Sequence, residues 1–284
     1  MKIKFAIFNF AICGATLLFI AGAPLSNASA QSSVTSDVDL CNGRDRSSAE
    51  PQIRGCTAVI KSDADNPKVL AIAHNNRGNA YARQGQYDLA IDDYVKSINL
   101  DPNFAKPLNN RGVVYKNKGD YDHALQDFNA ALFIDQNYAD ALANRAAIYQ
   151  AKRDYATAVK DLDQAIHLQP DLASLFNERC WVRAIIGELQ GALSDCNEAV
   201  RLDPKVAVAF DSRGFTYIKL GQWDSAIADF DSALRLDPKL AAALYGRGFA
   251  KQKKGDAAAA KSDIVAARAI KKDIDAEYAG YGIH

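Results

Sequence analysis

Residues 75–102 read NNRGNAYARQGQYDLAIDDYVKSINLDP, and edited copies of this stretch return every 34 residues. Stepping by that interval from Gly78 meets Gly112, Ala146, Cys180, Gly214 and Gly248, all small side chains. With Ala71 counted as position 1, that position is alanine in six successive units (Ala71, Ala105, Ala139, Ala173, Ala207, Ala241). Position 20 is alanine throughout as well (Ala90, Ala124, Ala158, Ala192, Ala226, Ala260). A fixed period of this size signals stacked supersecondary units, none able to bury its apolar face alone. In the second unit Leu108, Gly112 and Tyr115 recur at helical spacing, and Tyr121, Ala124, Phe128, Ala131 and Leu132 do so one helix later, so each unit reads as a helical hairpin. The break falls at position 15, filled by Gly85, Gly119, Gly187, Gly221 and Gly255, with Arg153 the departure. Glycine there permits the left-handed backbone that ends a helix. Leu-Asp-Pro endings at Pro102, Pro204 and Pro238 stop the second helix, because proline lacks a donor and disfavours helix in the residue before it.

The pattern of a small residue at position 8, aromatic at 11, glycine near 15, aromatic at 17, alanine at 20, aromatic at 24, alanine at 27 and proline at 32 resembles the tetratricopeptide repeat. Six units in register (71–104, 105–138, 139–172, 173–206, 207–240, 241–274) cover about seven tenths of the chain. The resemblance implies an all-α fold, a right-handed α-solenoid whose concave groove is lined by the first helices, and it implies binding more than chemistry. The Asn-Arg-Gly repeats and the closing Tyr281-Gly282-Ile283 are similar to those of secreted or periplasmic bacterial proteins of this family.

Before the repeats, Lys2 and Lys4 precede an uncharged apolar run from Phe5 to Ala23, and Ala28-Ser29-Ala30 follows. This predicts a secretory signal over residues 1–30, cut after Ala30, with an uncleaved anchor as the alternative. Cleavage removes Cys13 and two lysines, leaving 32 basic against 34 acidic residues, a formal charge of −2. Such a balance attracts neither nucleic acid nor an anionic membrane, and no membrane insertion is expected after cleavage. Residues 31–39 read as a linker. Residues 40–70 read as a degenerate capping hairpin, in which Ile53 to Ile60 aligns with Ile91 to Ile98 and the connection that follows is four residues too long for the period. Residues 275–284 are a C-terminal cap or tail, with a short closing helix over 272–280 and fraying from Tyr281 to His284.

The remaining four cysteines flank turns. Cys180 and Cys196 are symmetric about Gly187-Glu188, and Cys41 and Cys56 about the segment 47–51. An even count in an exported chain predicts two disulfides, each strapping one hairpin and contributing about 3 kcal/mol in the chain-entropy model. The alternative is that Cys180 and Cys196 are small buried residues. No Cys-x-x-Cys redox motif is present. Position 7 is always arginine (Arg77, Arg111, Arg145, Arg179, Arg213, Arg247) and position 23 always aspartate (Asp93, Asp127, Asp161, Asp195, Asp229, Asp263), centred on the turn. This fits a structural ion pair within each hairpin better than a charged ladder for a ligand.

Carrying the family's concave positions 2, 5, 9, 12 and 13 onto this chain places Asn75, Asn79, Arg83, Asn109, Lys116, Asn117, Asp140 and Gln150 on the groove in units one to three, with Val113, Ala143 and Ala147 between. Units four to six present Asn177, Trp181, Ile185, Asp211, Phe215, Ile218, Tyr245 and Phe249. Position 9 then runs Trp181, Phe215, Phe249, an aromatic stripe that either anchors a partner or packs against neighbouring helices or the tail. The lysine-asparagine-arginine clamp with which some family members hold chaperone carboxylates is absent: Asn75, Asn79, Asn110, Asp140 and Asn144 stand in its places. His74, His123, His167 and His284 show no metal-ligand spacing, and no phosphate loop or nucleophile elbow occurs, so neither an enzyme nor a cofactor is expected. The expected function is an exported, periplasmic or secreted protein that binds a protein or peptide segment as a scaffold or assembly factor. Alternatives are a self-associating spacer and a binder of envelope polysaccharide.

Overall fold

The computed structural model describes residues 37–43, 48–62 and 65–284. The signal segment, Cys13 and residues 31–36 of the linker lie outside the described residues. The described chain is helical throughout and without strands: α1 (37–41), α2 (Glu50–Ser62), α3 (Pro67–Arg83), α4 (Tyr87–Leu100), α5 (Ala105–Asn117), α6 (Tyr121–Ile134), α7 (Ala139–Ala151), α8 (Tyr155–Leu168), α9 (Ala173–Ile186), α10 (Leu189–Leu202), α11 (Ala207–Lys219), α12 (Trp223–Leu236), α13 (Ala241–Lys253), α14 (Ala257–Ile270) and α15 (Ile274–Gly280). Consecutive helices pair as hairpins, hairpins stack in sequence, and neighbouring first helices also touch: α3 with α5, α5 with α7, α9 with α11 and α11 with α13. No described helix is long and apolar enough to cross a membrane.

Each hairpin turns where position 15 takes a positive φ, for example 79° at Gly119 and 89° at Gly187. Arg153 adopts the same conformation at φ 61° despite its Cβ, at a cost of about 1 kcal/mol. Three second helices gain an N-cap from the aspartate that follows this residue: Asp120, Asp154 and Asp256 accept from the backbone N–H of His123, Thr157 and Ala259. Packing across the hairpin rests on position 8. A Cβ on Gly112 would lie 2.6 Å from the Phe128 ring, and one on Gly214 would lie 2.8 Å from Phe230, so the small residue leaves the space its partner ring fills. In unit four the same two positions hold Cys180 and Cys196, bonded as a disulfide with Cα atoms 5.3 Å apart. Cys41 and Cys56 are bonded likewise, Cα to Cα 4.4 Å, between α1 and α2.

Two expectations are corrected. The four surplus residues after α2 do not lengthen a loop; they add a turn of helix. α3 has 17 residues against 13 in α5, starting at Pro67 behind an Asn66 cap whose side chain accepts from Val69 N–H. The end of the chain does not fray. Ile283 is buried, and Tyr281 lies against the rings of Trp181 and Phe215.

Candidate binding groove

The position-7 arginines hold the first helices in place. Each donates through Nε and Nη2 to both oxygens of the position-23 aspartate of its own hairpin, as Arg145 does to Asp161 at 2.8 and 2.7 Å. The same fork joins Arg77 to Asp93, Arg111 to Asp127, Arg179 to Asp195, Arg213 to Asp229 and Arg247 to Asp263. The aspartates are buried, so the fork supplies the donors that their desolvated oxygens require. Asp93 is held below the usual carboxylate range: burial pushes it up, but donation from Arg77 and His74 outweighs that. A third donor leaves the hairpin. Nη1 of Arg145, Arg179, Arg213 and Arg247 reaches Asn129, Asp163, Asn197 and Asp231 at position 25 of the preceding unit, and Arg77 reaches Thr57 of the cap. Reading position 7 as a bridge within the hairpin missed this stitch, although the recurring Asp or Asn at position 25 was there to be seen.

On the groove side, the amino-terminal half is a chain of amides. Asn110 donates to Asn75 at 2.9 Å and Asn144 donates to Asn109 at 3.1 Å, each pair crossing from one unit to the next. Asn75 and Asn109, expected as open ligand groups, are therefore buried and already partnered. The position-6 residues Asn110 and Asn144, named from sequence only as replacements in the absent clamp, complete the chain. Asn79 accepts from the Tyr94 hydroxyl at 2.7 Å, and Lys116 donates to Asn144 at 3.1 Å. Asn117, Asp140 and Arg83 are exposed, and Lys116, Val113 and Gln150 are half-buried beside them. This half is an open, polar concavity. Glu178 continues the position-6 row at its edge; burial pushes its carboxyl up to about 7, against a downward pull from Lys116.

The carboxy-terminal half is closed. Trp181 and Phe215 are in contact, ring centroids 4.7 Å apart, but Phe249 leaves the expected stripe and packs on Trp223, with Lys253 over its ring. Tyr245 takes its place. Over these rings lie α15 and its C-cap: Tyr278 packs tilted against Tyr245 at 4.5 Å and edge-on to Phe215 at 6.0 Å, and Tyr281 meets Trp181 edge-on at 5.1 Å. The Tyr278 hydroxyl donates to the Ala242 carbonyl at 2.8 Å, and Lys219 Nζ donates to the Tyr281 carbonyl at 3.0 Å. Phe215 and Ile218, placed on the groove from sequence, are consequently 0% and 4% exposed. Asn177, Trp181, Ile185, Tyr245 and Phe249 are half-buried.

Family models described as "TPR repeat" match residues 78–119 and 214–255, and models described as "Tetratricopeptide repeat" match 105–138 and 139–172. The chain belongs to the tetratricopeptide repeat family. Solved structures place the fold likewise. A tetratricopeptide repeat protein from Parabacteroides merdae superposes with a TM-score of 0.63 at 19% identity, covering 88% of this chain and 98% of its own. The pilF protein of Pseudomonas aeruginosa gives 0.64 at 17% identity over 75% of this chain and 98% of its own. YrrB, a TPR protein with an unusual peptide-binding site, gives 0.56 at 24% identity over 69% of this chain and 98% of its own. A search of curated proteins finds no match. Among the described residues of this tetratricopeptide solenoid, no group of three or more His, Cys, Asp or Glu side chains is placed to hold a metal.

Proposed function

We propose that this is an exported tetratricopeptide protein that binds a segment of another protein in its concave groove, acting as a scaffold or assembly factor in the cell envelope. The observation that carries the reading is that half of the groove already holds a peptide segment, residues 274–283 of the chain itself, while the adjoining half is open and polar. The peptide-binding site of YrrB, on a similar solenoid, supports the same use. Two disulfide-bonded hairpins support an oxidising compartment, periplasmic or extracellular.

Site-specific photocrosslinking in intact cells tests this. A photoreactive side chain at Lys116, inside the open half, should crosslink to another envelope protein. One at Phe133, 89% exposed on a second helix, should not. Crosslinks from Phe133 alone, or from Lys116 only to further copies of this chain, would overturn the reading in favour of a different surface or a self-associating spacer.

A further inference from the structure

The segment over the aromatic half binds as a ligand does, through a few spaced anchors. Tyr278 enters between Phe215 and Tyr245, Tyr281 abuts Trp181, and Ile283 is buried beyond them, giving the pattern Tyr-x-x-Tyr-x-Ile. Lys219 meets the backbone carbonyl of Tyr281, a contact that any residue at that place could make. Side chains thus select the segment, and one main-chain bond sets its register.

One contact opposes the docking. Asp211, on α11 beneath the segment, is buried, and its Oδ1 finds no donor. The titratable groups facing it are Glu277 and Tyr278 of α15, with Tyr281 and Tyr245 beside Tyr278. Glu277 has its own neighbours: Lys271 Nζ lies 2.5 Å from Oε2, and the Tyr281 hydroxyl donates to Oε1 at 3.4 Å. Docking therefore sets a second carboxylate against a buried one whose Oδ1 has no donor.

We propose that the surface formed by Trp181, Phe215, Lys219 and Tyr245 is a docking site for segments of the pattern Tyr-x-x-Tyr-x-Ile, and that residues 274–283 are its displaceable resident. The proposal rests on the groove-binding reading above and adds the chemistry of the partner and the way the site is freed. As part of the same chain, the resident competes at a local concentration on the order of millimolar, so a partner gains the site only when the resident is weakened. The Asp211–Glu277 contact supplies that weakening for the resident, and a partner segment with no carboxylate in the place of Glu277 escapes it. Burial first, and Glu277 second, push Asp211 up to about 7, and release returns it to the ordinary range near 4. Docking is thus fully supported below about pH 4, weakens by up to about tenfold per pH unit as pH rises toward 7, and levels off above.

The test uses the full chain and a labelled synthetic peptide of residues 273–284, DIDAEYAGYGIH. At pH 5.5, fluorescence anisotropy should show the peptide binding a Tyr278→Ala/Tyr281→Ala variant at least tenfold more tightly than wild type. Equal or weaker binding by a variant that keeps its helical circular dichroism, or binding by neither protein, overturns the docking site. A second measurement removes no contact with the rings. In a Trp223→Phe background, Trp181 emission should shift to the red between pH 5.5 and 8.5, and Asp211→Asn should abolish the shift. A flat profile without that substitution, or a shift that survives it, overturns displacement. Neither result bears on crosslinking at Lys116, so the wider reading stands or falls separately.

Discussion

The two halves of the groove are built on the same helix positions and end in opposite states. At position 9 the first three units carry Asn79, Val113 and Ala147, while units four and five carry Trp181 and Phe215. The polar half satisfies itself: amides bond to amides across units, and water reaches what remains. The aromatic half cannot, because contacts between its rings still leave ring faces wet, and each square ångström left wet forfeits roughly 25 cal/mol. Residues 274–283 provide the cover. The repeat therefore determines the shape of the groove, while a handful of ring side chains determines whether the groove is filled.

The sharpest way to break this comparison is to truncate matched positions in the two halves. Phe215→Ala should cost about 3–5 kcal/mol, since it removes a fully buried ring and the support for Tyr278 and Tyr281. Val113→Ala, at the same position in the open half, should cost about 1 kcal/mol. Urea titrations of both variants check this. Equal losses would mean that the two halves do not differ in how much they bury.

Unit four, at the seam, comes next. Its disulfide occupies the positions where units two and five press Phe128 and Phe230 against glycine. Cys180→Ala/Cys196→Ala removes the strap without a ring to replace it and should lower stability by about 3 kcal/mol. A loss under roughly 1 kcal/mol would show that hairpin packing alone holds the seam. Glu178 lies at the same junction. Its raised carboxyl favours the folded state most below about pH 4, and that contribution is lost as pH rises through about 7. Glu178→Gln should therefore leave stability near pH 4 unchanged and raise it by about 3 kcal/mol at pH 8, measured as a shift in thermal midpoint. The same gain at both pH values would assign the effect to packing rather than charge.

The period, the turn at position 15, the cysteine pairs and the pairing of position 7 with position 23 are all local or regularly spaced features, and these are what a single sequence displays. The groove was harder to read. Whether Asn75 faces solvent depends on Asn110, a residue 35 positions away in another unit, and Phe215 is hidden by residues more than 60 positions downstream. Tyr278, Tyr281 and Ile283 carried a signal in their spacing, but nothing in a 34-residue period says where a segment beyond the last unit will turn. Unpaired rings on a concave face gave reason to look for a cover within the chain itself, and packing against the tail, one of the alternatives the stripe left open, is what Trp181 and Phe215 adopt.

The smallest expected effect separates the halves by how tightly their units are joined. Among the described residues, Arg111 is the one position-7 arginine without an Nη1 partner in the preceding unit, because position 25 of unit one is Val95 where the later units have Asp or Asn. The open half therefore lacks a stitch that the seam and the closed half possess. Val95 is 36% exposed, so replacing it forfeits little burial, and valine and asparagine have similar helix propensities. Val95→Asn should then add about 0.5–1 kcal/mol through a charge-assisted bond from Arg111, and Asn129→Val should remove a similar amount by freeing Nη1 of Arg145. Chemical denaturation of the two variants, with hydrogen exchange of α3 and α4 as the local readout, decides the matter. Opposite and comparable changes would make the stitch a term in unit-to-unit coupling. No change in either would leave that coupling to the apolar contacts between hairpins, and the open half would be as firmly joined as the closed one.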